Sequence, residues 1–402
     1  MPVENATLLT IPQLSYRQLN EAVHDWLLGL NSRNIMVNIP LIAAFVAGLL
    51  WTRGAATCSA IAMGGLFSHD ALNRLLTGPS LRALLQLVAL TMVDKLSGYL
   101  VVDDVVLDKS GKLIAGIAWL RSSSLEKKVR ALNVVVLGWT NGTVFIPLTF
   151  RFWKPPLSRN KKGVPSKEAY DGTIFKTKLE LAVEMFDWAR RRGFKPTAVL
   201  FDAYFLAKPV LAFLKRANWH WVSRTKSNRN FQRDGKKFKA NMWVSLAAQG
   251  KAPRLTRSVA AHLSGWGEVR IIGVRHRGDK DFRFLVGSNP QWGRGVIENL
   301  YGHRWPIESL FRDAKQLEGL NDCQCRSADA QENHVALVFV AHLFLVRQSR
   351  RRDSAGATLN RLTGLPVILE VTPTVQKVRP VKRERRARRK AGASRRVSAC
   401  SA

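Results

Sequence analysis

Leu100-Val-Val-Asp-Asp-Val-Val-Leu107 is a run of apolar, mostly β-branched residues that two acids interrupt in the middle. Such a run is typical of a buried strand. An ionised carboxylate inside a buried strand is costly unless it is paired with a cation or bound to one. The run therefore predicts a central strand that contains Asp103 and Asp104. These two acids either take part in turns or salt bridges, or belong to a site that carries out chemistry.

The residues that follow this run alternate between strand and helix patterns. Residues 131–138 and 143–150 are apolar runs on either side of Thr140-Asn-Gly142, which is a strong hairpin signal. Further along, the pattern predicts a helix over 170–192, a buried strand over 197–202 and a helix over about 207–217. This order of elements predicts an α/β domain.

The hydrophobic and charge patterns divide the chain into five regions. These are a helical region over 1–95, the first part of an α/β core over 96–224, a β-rich insertion over 225–294, a helical part of the core over 295–349 and a basic tail over 350–402. The middle region is interpreted as an insertion because helical spacing resumes only at Gly295, and two helices are predicted over 296–349.

The net charge identifies the class of partner. The 402 residues include 63 Lys and Arg but only 29 Asp and Glu, which gives a net charge of +34 and a pI near 10.9. A compact protein with this charge repels itself, so the charge favours a polyanionic partner. Nucleic acid is favoured over an anionic membrane surface.

The compartment is expected to be the bacterial cytoplasm, in association with the nucleoid. The longest apolar run, residues 39–51, contains Pro40 and is shorter than the roughly 18 residues that a membrane span needs, so a buried helix is predicted there. The N-terminus lacks the pattern of an export signal. The four cysteines form no evident disulfide framework, and Cys323-Gln-Cys325 lacks the spacing of a zinc site.

A third acid follows a second apolar strand. Thr197-Ala-Val-Leu-Phe leads directly into Asp202. Two strands that both carry carboxylates can bring them to one edge of a sheet, although an isolated Asp202 would more often cap a helix. No His or Cys cluster of ligand spacing competes with these acids.

A stripe of polar side chains is predicted further on. Tyr301, Arg304, Glu308 and Lys315 fall within about 60° of one another if the segment is one helix. Pro306 favours the first turn of a helix, so Tyr301 and Arg304 are alternatively placed in a separate turn before it. A solvated charged face explains the whole stripe poorly.

These residues resemble the Y-x2-R-x3-E-x6-K signature of insertion-sequence transposases of the IS4 group, specifically the IS701-like ones, and the resemblance extends over residues 99–345. It implies an RNase H-like catalytic core over 96–224 and 295–349, in which a β-rich insertion separates the second Asp from the Glu, together with a DNA-binding region over 1–95. It also implies a DNA transposase that cuts transposon ends and joins them to target DNA, and that works on DNA as a homodimer.

The resemblance also assigns the site. Asp202, Glu308 and either Asp103 or Asp104 would hold two Mg²⁺ or Mn²⁺ ions for phosphoryl transfer. The family often has Thr or Ser after the first Asp, whereas Val105 and Val106 stand here, so the choice within the pair stays open. Tyr301, Arg304 and Lys315 would contact DNA. The alternatives are an endonuclease without strand transfer and a DNA-binding protein whose acids are structural.

The C-terminal tail is strongly basic and is expected to bind DNA through its charge. Residues 377–396 hold eleven Lys or Arg and one Glu, with almost no large apolar side chain, so disorder in isolation is expected. Such a segment binds phosphates and releases counterions. Deleting it should weaken binding to cognate and random duplexes by a similar factor and flatten the slope of log K against log salt. Titrations at several salt concentrations decide, and an unchanged slope would contradict the prediction.

Overall fold

The computed structural model describes residues 14–30, 38–53, 56–122, 126–242, 258–275, 282–350, 353–364, 367–372 and 375–380. Five helices lie in the first 95 residues. They are α1 (Tyr16–Gly29), α2 (Ile39–Thr52), α3 (Cys58–Ala62), α4 (His69–Thr77) and α5 (Arg82–Leu90). Polar caps begin most of them, including a capping box at Ser15 and side-chain caps at Asn38, Thr57 and Ser68.

The apolar run at residues 39–51 is the buried helix α2, as predicted from its length and composition. Pro40 lies in the first turn of α2, where a missing N–H costs nothing. None of the helices that the structure describes is both long enough and apolar enough to span a membrane.

The strand predicted around Asp103 and Asp104 is β1 (Tyr99–Asp108), and it lies inside a large mixed sheet. On one side β1 pairs antiparallel with β3 (Lys127–Thr140), which also pairs with β2 (Ala118–Ser122) and β4 (Phe145–Trp153). The predicted Asn-Gly hairpin joins β3 to β4, and the Asn141 side chain accepts hydrogen bonds from the backbone of Thr143 and Val144. On its other side β1 pairs parallel with β5 (Ala198–Phe201).

The helix predicted over 170–192 is shorter than expected. Helix α6 runs over Lys178–Arg191, because Thr177 caps it and forms a capping box with Glu180. Residues 170–177 are turns and isolated bridges. Helix α7 (Lys208–Arg216) follows β5 and closely matches the prediction.

The predicted β-rich segment extends the same sheet. Strand β6 (Trp221–Thr225) lies parallel to β5, and β11 (Arg283–Gly287) pairs antiparallel with β6. Beyond β11 come β10 (Gly267–Val274), β9 (Ser258–Leu263), β7 (Asn230–Arg233) and β8 (Lys236–Lys239). The described sheet therefore runs in the order β2-β3-β1-β5-β6-β11-β10-β9-β7-β8, with β4 also on β3.

Three helices, rather than the two predicted, lie between residues 294 and 348. They are α8 (Arg294–Gly302), α9 (Pro306–Gln316) and α10 (Ala328–Gln348). A turn at residues 303–305 separates α8 from α9. Pro306 cannot continue a helix that begins before it, but it is well suited to the first turn of a new one. Helix α10 is buried along most of its length, and the Asn333 side chain binds the backbone at the end of α4 and the start of α5.

The first part of the region predicted as the basic tail, residues 350–402, contains a helix. Residues 355–363 form α11 (Ala355–Thr363), with Ser354 as its cap and Leu359 buried against the core. Leu362 accepts a backbone hydrogen bond from Leu14 before α1. The ribbon of β12 (Val367–Thr372) and β13 (Val375–Pro380) follows. Residues 381–402, which carry most of the predicted disordered stretch, lie outside the described residues.

Candidate active site

A polar cleft of about 1010 Å³ opens beside the carboxyl ends of β5 and β6. Acidic side chains line one part of it and basic ones another. The lining residues are Asp103, Asp202, Ala203, Arg224, Thr225, Lys226, Ser227, Asn228, Asn241, Phe282, Arg283, Phe284, Tyr301, Arg304 and Glu308. The cleft thus contains three of the four acids that the sequence singles out and two of the three predicted DNA-contacting residues.

The sheet register brings Asp103 and Asp202 together. Strands β1 and β5 are parallel, and Val102 pairs with Phe201. Residues that pair across two strands point to the same face, so the next pair, Asp103 and Asp202, shares a face of the sheet. Burial raises the pKa of Asp103 to about 7; Arg304 opposes this shift, and the charges of Asp202 and Asp104 add to it.

Asp202 is held by the turn that follows β5. Its Oδ1 accepts hydrogen bonds from the backbone N–H groups of Tyr204 at 2.9 Å and Phe205 at 3.4 Å. Burial raises the pKa of Asp202, while these two N–H groups act against the rise. The second carboxylate oxygen has no such backbone contact and is available to the cleft.

Asp104 lies on the opposite face of β1, as expected for the neighbour of Asp103 on a strand. Its Oδ2 is 2.8 Å from Nζ of Lys178, the first residue of α6, and 2.6 Å from Nδ2 of Asn133 on β3. Asp104 is therefore paired and does not line the cleft. Of the two acids that the sequence left undecided, Asp103 is the one that faces Asp202.

Arg304 and Glu308 complete the acidic cluster. Arg304 lies in the turn between α8 and α9, and Glu308 in the first turn of α9. One guanidinium nitrogen, Nη1, is 2.7 Å from Oδ2 of Asp103, and Nη2 contacts Oε1 of Glu308. The buried Arg304 side chain is therefore a cation shared by two carboxylates on different elements.

The stripe predicted for a single helix is divided between two helices and a turn. Tyr301 belongs to α8 and stacks against Arg304, whose guanidinium carbon is 5.5 Å from the ring centre. Burial raises the pKa of Tyr301. Lys315 lies at the far end of α9, outside the cleft, where burial lowers its pKa and the nearby Asp108 opposes that shift. The structure brings Tyr301, Arg304 and Glu308 together, and Lys315 is separate from them.

Sequence reasoning missed the basic side of the cleft. Arg224 and Lys226 lie at the end of β6, and Arg283 begins β11, which pairs with β6. The available signal in the sequence was Arg224-Thr-Lys226 at the end of a buried strand. That strand, β6, is the neighbour of β5, which leads into Asp202. Trp305 was also missed; its side chain is 62% exposed next to Arg304.

The acids suit hard divalent cations, which prefer carboxylate oxygens. Among the residues that the structure describes, no three His, Cys, Asp or Glu side chains are already grouped so that they could hold a metal ion. The Arg304 guanidinium lies between Asp103 and Glu308 and neutralises them. A site that already holds a cation between these two carboxylates is electrostatically suited to a metal ion once the arginine leaves.

The raised pKa of Asp103 would make metal binding by this cluster dependent on pH. A carboxylic acid must lose its proton to bind a cation, and a pKa near 7 leaves most of Asp103 protonated at pH 6 and most ionised at pH 8. We therefore expect the affinity for Mn²⁺ of the protein with a DNA duplex bound, measured by calorimetry and corrected for the duplex alone, to rise about tenfold from pH 6 to pH 8. Asp103→Asn should weaken this dependence and leave the part that follows from the raised pKa of Asp202, whereas Asp104→Asn should keep all of it. Equal affinities at the two pH values in the unmodified protein would contradict the prediction.

Comparison with known families agrees with this arrangement. The profile of the family described as DDE superfamily endonuclease matches residues 49–270, just over half of the chain, and the protein belongs to that family. The matched part contains Asp103 and Asp202 and ends before Glu308. No curated protein matches the chain. Membership of this family indicates a nuclease-type enzyme, and such nucleases generally use divalent metal ions.

Proposed function

We propose that this protein is a DNA transposase of the IS4 group, which cuts the ends of a mobile element and joins them to target DNA. The observation that carries the proposal is the convergence of Asp103, Asp202 and Glu308 on one cleft with Arg304 between two of them. These acids come from two neighbouring strands and from a helix distant in sequence. A structural salt bridge needs only two partners and explains neither Asp202 nor the basic side of the cleft.

The order of the strands supports the RNase H-like part of the proposal. The five strands β4-β3-β1-β5-β6 lie side by side; β3 is antiparallel to both of its neighbours, β4 and β1, and β1, β5 and β6 are parallel. The first acid is on the middle strand of this set and the second follows its parallel neighbour. The strands between β6 and α8 occupy the position expected for an insertion between the second Asp and the Glu.

Asp103, Asp202 and Glu308 would hold two divalent ions, Mg²⁺ or Mn²⁺. Bound ions of this kind activate an attacking water or hydroxyl and stabilise the leaving oxygen of a phosphodiester. The carboxylates fix the positions of these charges, and the backbone N–H groups at residues 204 and 205 hold Asp202 in one orientation. Asp104 would act indirectly, since its pair with Lys178 fixes the start of α6 beside β1.

The basic side chains of the cleft would bind the DNA backbone. Arg224 and Lys226 face the same space as the acids, so a phosphate held by them lies next to the carboxylates. Arg304 can exchange its two carboxylate partners for a phosphate, because a guanidinium forms equally well matched paired hydrogen bonds with either group. Such an exchange would free Asp103 and Glu308 at the moment the substrate arrives. Two copies of the chain on two transposon ends would form the proposed homodimer.

A strand-transfer assay tests the transposase against the alternative endonuclease. The substrate is the pair of inverted repeats that flank the gene, labelled at the 3′ end and mixed with a supercoiled target and Mg²⁺. We expect labelled 3′ ends to be joined to the target, with a matched scrambled repeat as the control. Metal-dependent cleavage without any joined product would establish the endonuclease, and DNA binding without cleavage would establish the non-catalytic alternative.

A further inference from the structure

Three cysteines that are distant in sequence meet in a second cavity, away from the acidic cleft. This cavity has a volume of about 370 Å³, and its lining includes Cys58, Cys323, Cys325, His69 and His334. Cys58 is the first residue of α3, and the other two cysteines lie in the loop that connects α9 to α10. Spacing along the chain gave no indication of this cluster, because 264 residues separate Cys58 from Cys323.

Contacts around the loop hold the thiols together. Oδ2 of Asp322 accepts a hydrogen bond from the backbone N–H of Ala56, just before α3, at 3.0 Å. Nε2 of Gln331 donates to the carbonyl oxygens of Cys325 at 2.7 Å and Cys323 at 3.3 Å. The loop is therefore fixed both to the start of α3 and to α10, and the cysteine side chains have little freedom to separate.

Cys325 is the most reactive thiol of the three. The neighbouring Cys323 and Cys58 thiols lower the pKa of Cys325, and the pKa of each of those two thiols is raised by Cys325 and by burial. Its side chain is partly exposed, so a small reagent can reach it, whereas Cys323 is buried. A partly exposed thiol that is stabilised as a thiolate is the form that oxidants attack.

A buried histidine faces the same cavity with one nitrogen free of hydrogen bonds. Nε2 of His334 is 2.9 Å from the carbonyl oxygen of Gly319, so it carries the ring proton and donates it there. Among the residues that the structure describes, Nδ1 of His334 has no hydrogen-bond partner. Water cannot easily supply one, because the residue is only 1% exposed. Burial lowers the pKa of His334 to about 4, so the ring is neutral and Nδ1 can accept a hydrogen bond but is too weak a base to take a proton from a thiol.

We propose that Cys58 and Cys325 are a redox pair that a hydroperoxide converts to a disulfide between α3 and the α9–α10 loop. With hydrogen peroxide, the Cys325 thiolate attacks one peroxide oxygen and forms a sulfenic acid, the O–O bond breaks, and the other oxygen takes a proton and leaves as water. Cys58 then attacks that sulfur, an S–S bond forms, and the sulfenic oxygen leaves as a second water with the thiol proton. Two thiols lose two electrons, and one peroxide gains them.

Cys58 rather than Cys323 is the partner for geometric reasons. Cys323 is separated from Cys325 by only one residue, and a disulfide across that distance closes a small strained ring. Its sulfur is also directed toward the Ala330 carbonyl oxygen, 3.9 Å away at the start of α10. Cys58 approaches Cys325 from a different element without this constraint. The resulting bond would join the N-terminal helices covalently to the part of the chain that follows Glu308.

Peptide mapping of the oxidised full-length protein tests the proposal. The chain carries Cys400→Ser so that three cysteines remain, and it is treated with hydrogen peroxide and digested without reduction. We expect the Cys58 and Cys325 peptides to be linked, the free thiols to fall from three to one, and dithiothreitol to restore all three. Cys323→Ser is the matched control and should still form the link, whereas Cys58→Ser should accumulate a sulfenic acid on Cys325 that dimedone traps.

Three results would overturn the proposal. They are a link between Cys323 and Cys325, the absence of dimedone labelling at Cys325 in the Cys58→Ser protein, and one tightly held zinc ion per chain that protects all three thiols. Thermal melting of each variant shows whether it is folded, and the mapping of the Cys400→Ser protein stands even if a second substitution prevents folding. None of these outcomes depends on the activity of the acidic cleft.

Discussion

Asp202→Asn and Glu308→Gln should each reduce metal-dependent DNA cleavage at least about a hundredfold while leaving DNA binding close to that of the unmodified protein. Both substitutions remove a charge but nearly preserve the shape of the side chain. Asp202 lines the cleft with a carboxylate oxygen that no backbone group occupies, and Glu308 reaches the cleft from the first turn of α9. Nicking of a labelled terminal-repeat duplex and gel-shift binding of the same duplex measure the two quantities.

The control for this pair of variants is an acid that lies outside the cleft. Asp187 is on the exposed side of α6, where it pairs with Arg190 and Arg191 in the same helix. Asp187→Asn should therefore cleave at the parental rate. If Asp202→Asn or Glu308→Gln also cleaves at the parental rate, the assignment of these two acids is wrong.

Asp103→Asn should have a much larger effect on cleavage than Asp104→Asn. Asp103 shares a face of the sheet with Asp202 and contacts Arg304, so it belongs to the acidic cluster of the cleft. Asp104 contacts Lys178 and Asn133 on the other face, and its loss should disturb only the position of α6 against β1. We expect a loss of at least about a hundredfold for Asp103→Asn and of about tenfold or less for Asp104→Asn.

The comparison of these neighbours requires a check on folding, because both side chains are largely buried. The melting temperature of each variant in the absence of DNA supplies it. Equal residual cleavage by two folded variants would contradict the assignment of Asp103 to the cleft. If the Asp104→Asn protein is folded but inactive while the Asp103→Asn protein is active, the acid of the cleft is Asp104 and not Asp103.

Local sequence features predicted the parts of the fold that local physics determines. The β-branched run around Asp103 and the Asn-Gly turn between β3 and β4 identified neighbouring strands, because both signals depend only on residues close in sequence. The apolar strand that leads into Asp202 was predicted in the same way. Asp103 and Asp202, which line the cleft, were singled out because a carboxylate within or at the end of an apolar strand is costly and needs a reason, whereas Glu308 was singled out by its resemblance to the family signature.

Features that depend on pairing across the sheet were beyond sequence reasoning. Only the parallel register of β1 and β5 distinguishes Asp103 from Asp104. Lys315 lies eleven residues after Arg304, a rise of roughly 16 Å along a helix, so a shared face does not bring it to the cleft. The contact of Arg304 with Asp103 and the approach of Cys58 to Cys325 both join parts of the chain that sequence spacing treats as unrelated.

Anomalous scattering from Mn²⁺ in a crystal of the protein bound to a terminal-repeat duplex tests the central claim most directly. The claim is that Asp103, Asp202 and Glu308 form the metal site of a nuclease centre from which the substrate displaces Arg304. It predicts two Mn²⁺ peaks about 4 Å apart that these three carboxylates bind, with the Arg304 guanidinium on a DNA phosphate. Manganese bound elsewhere, or Arg304 still paired with Asp103 and Glu308 in the DNA complex, would contradict it.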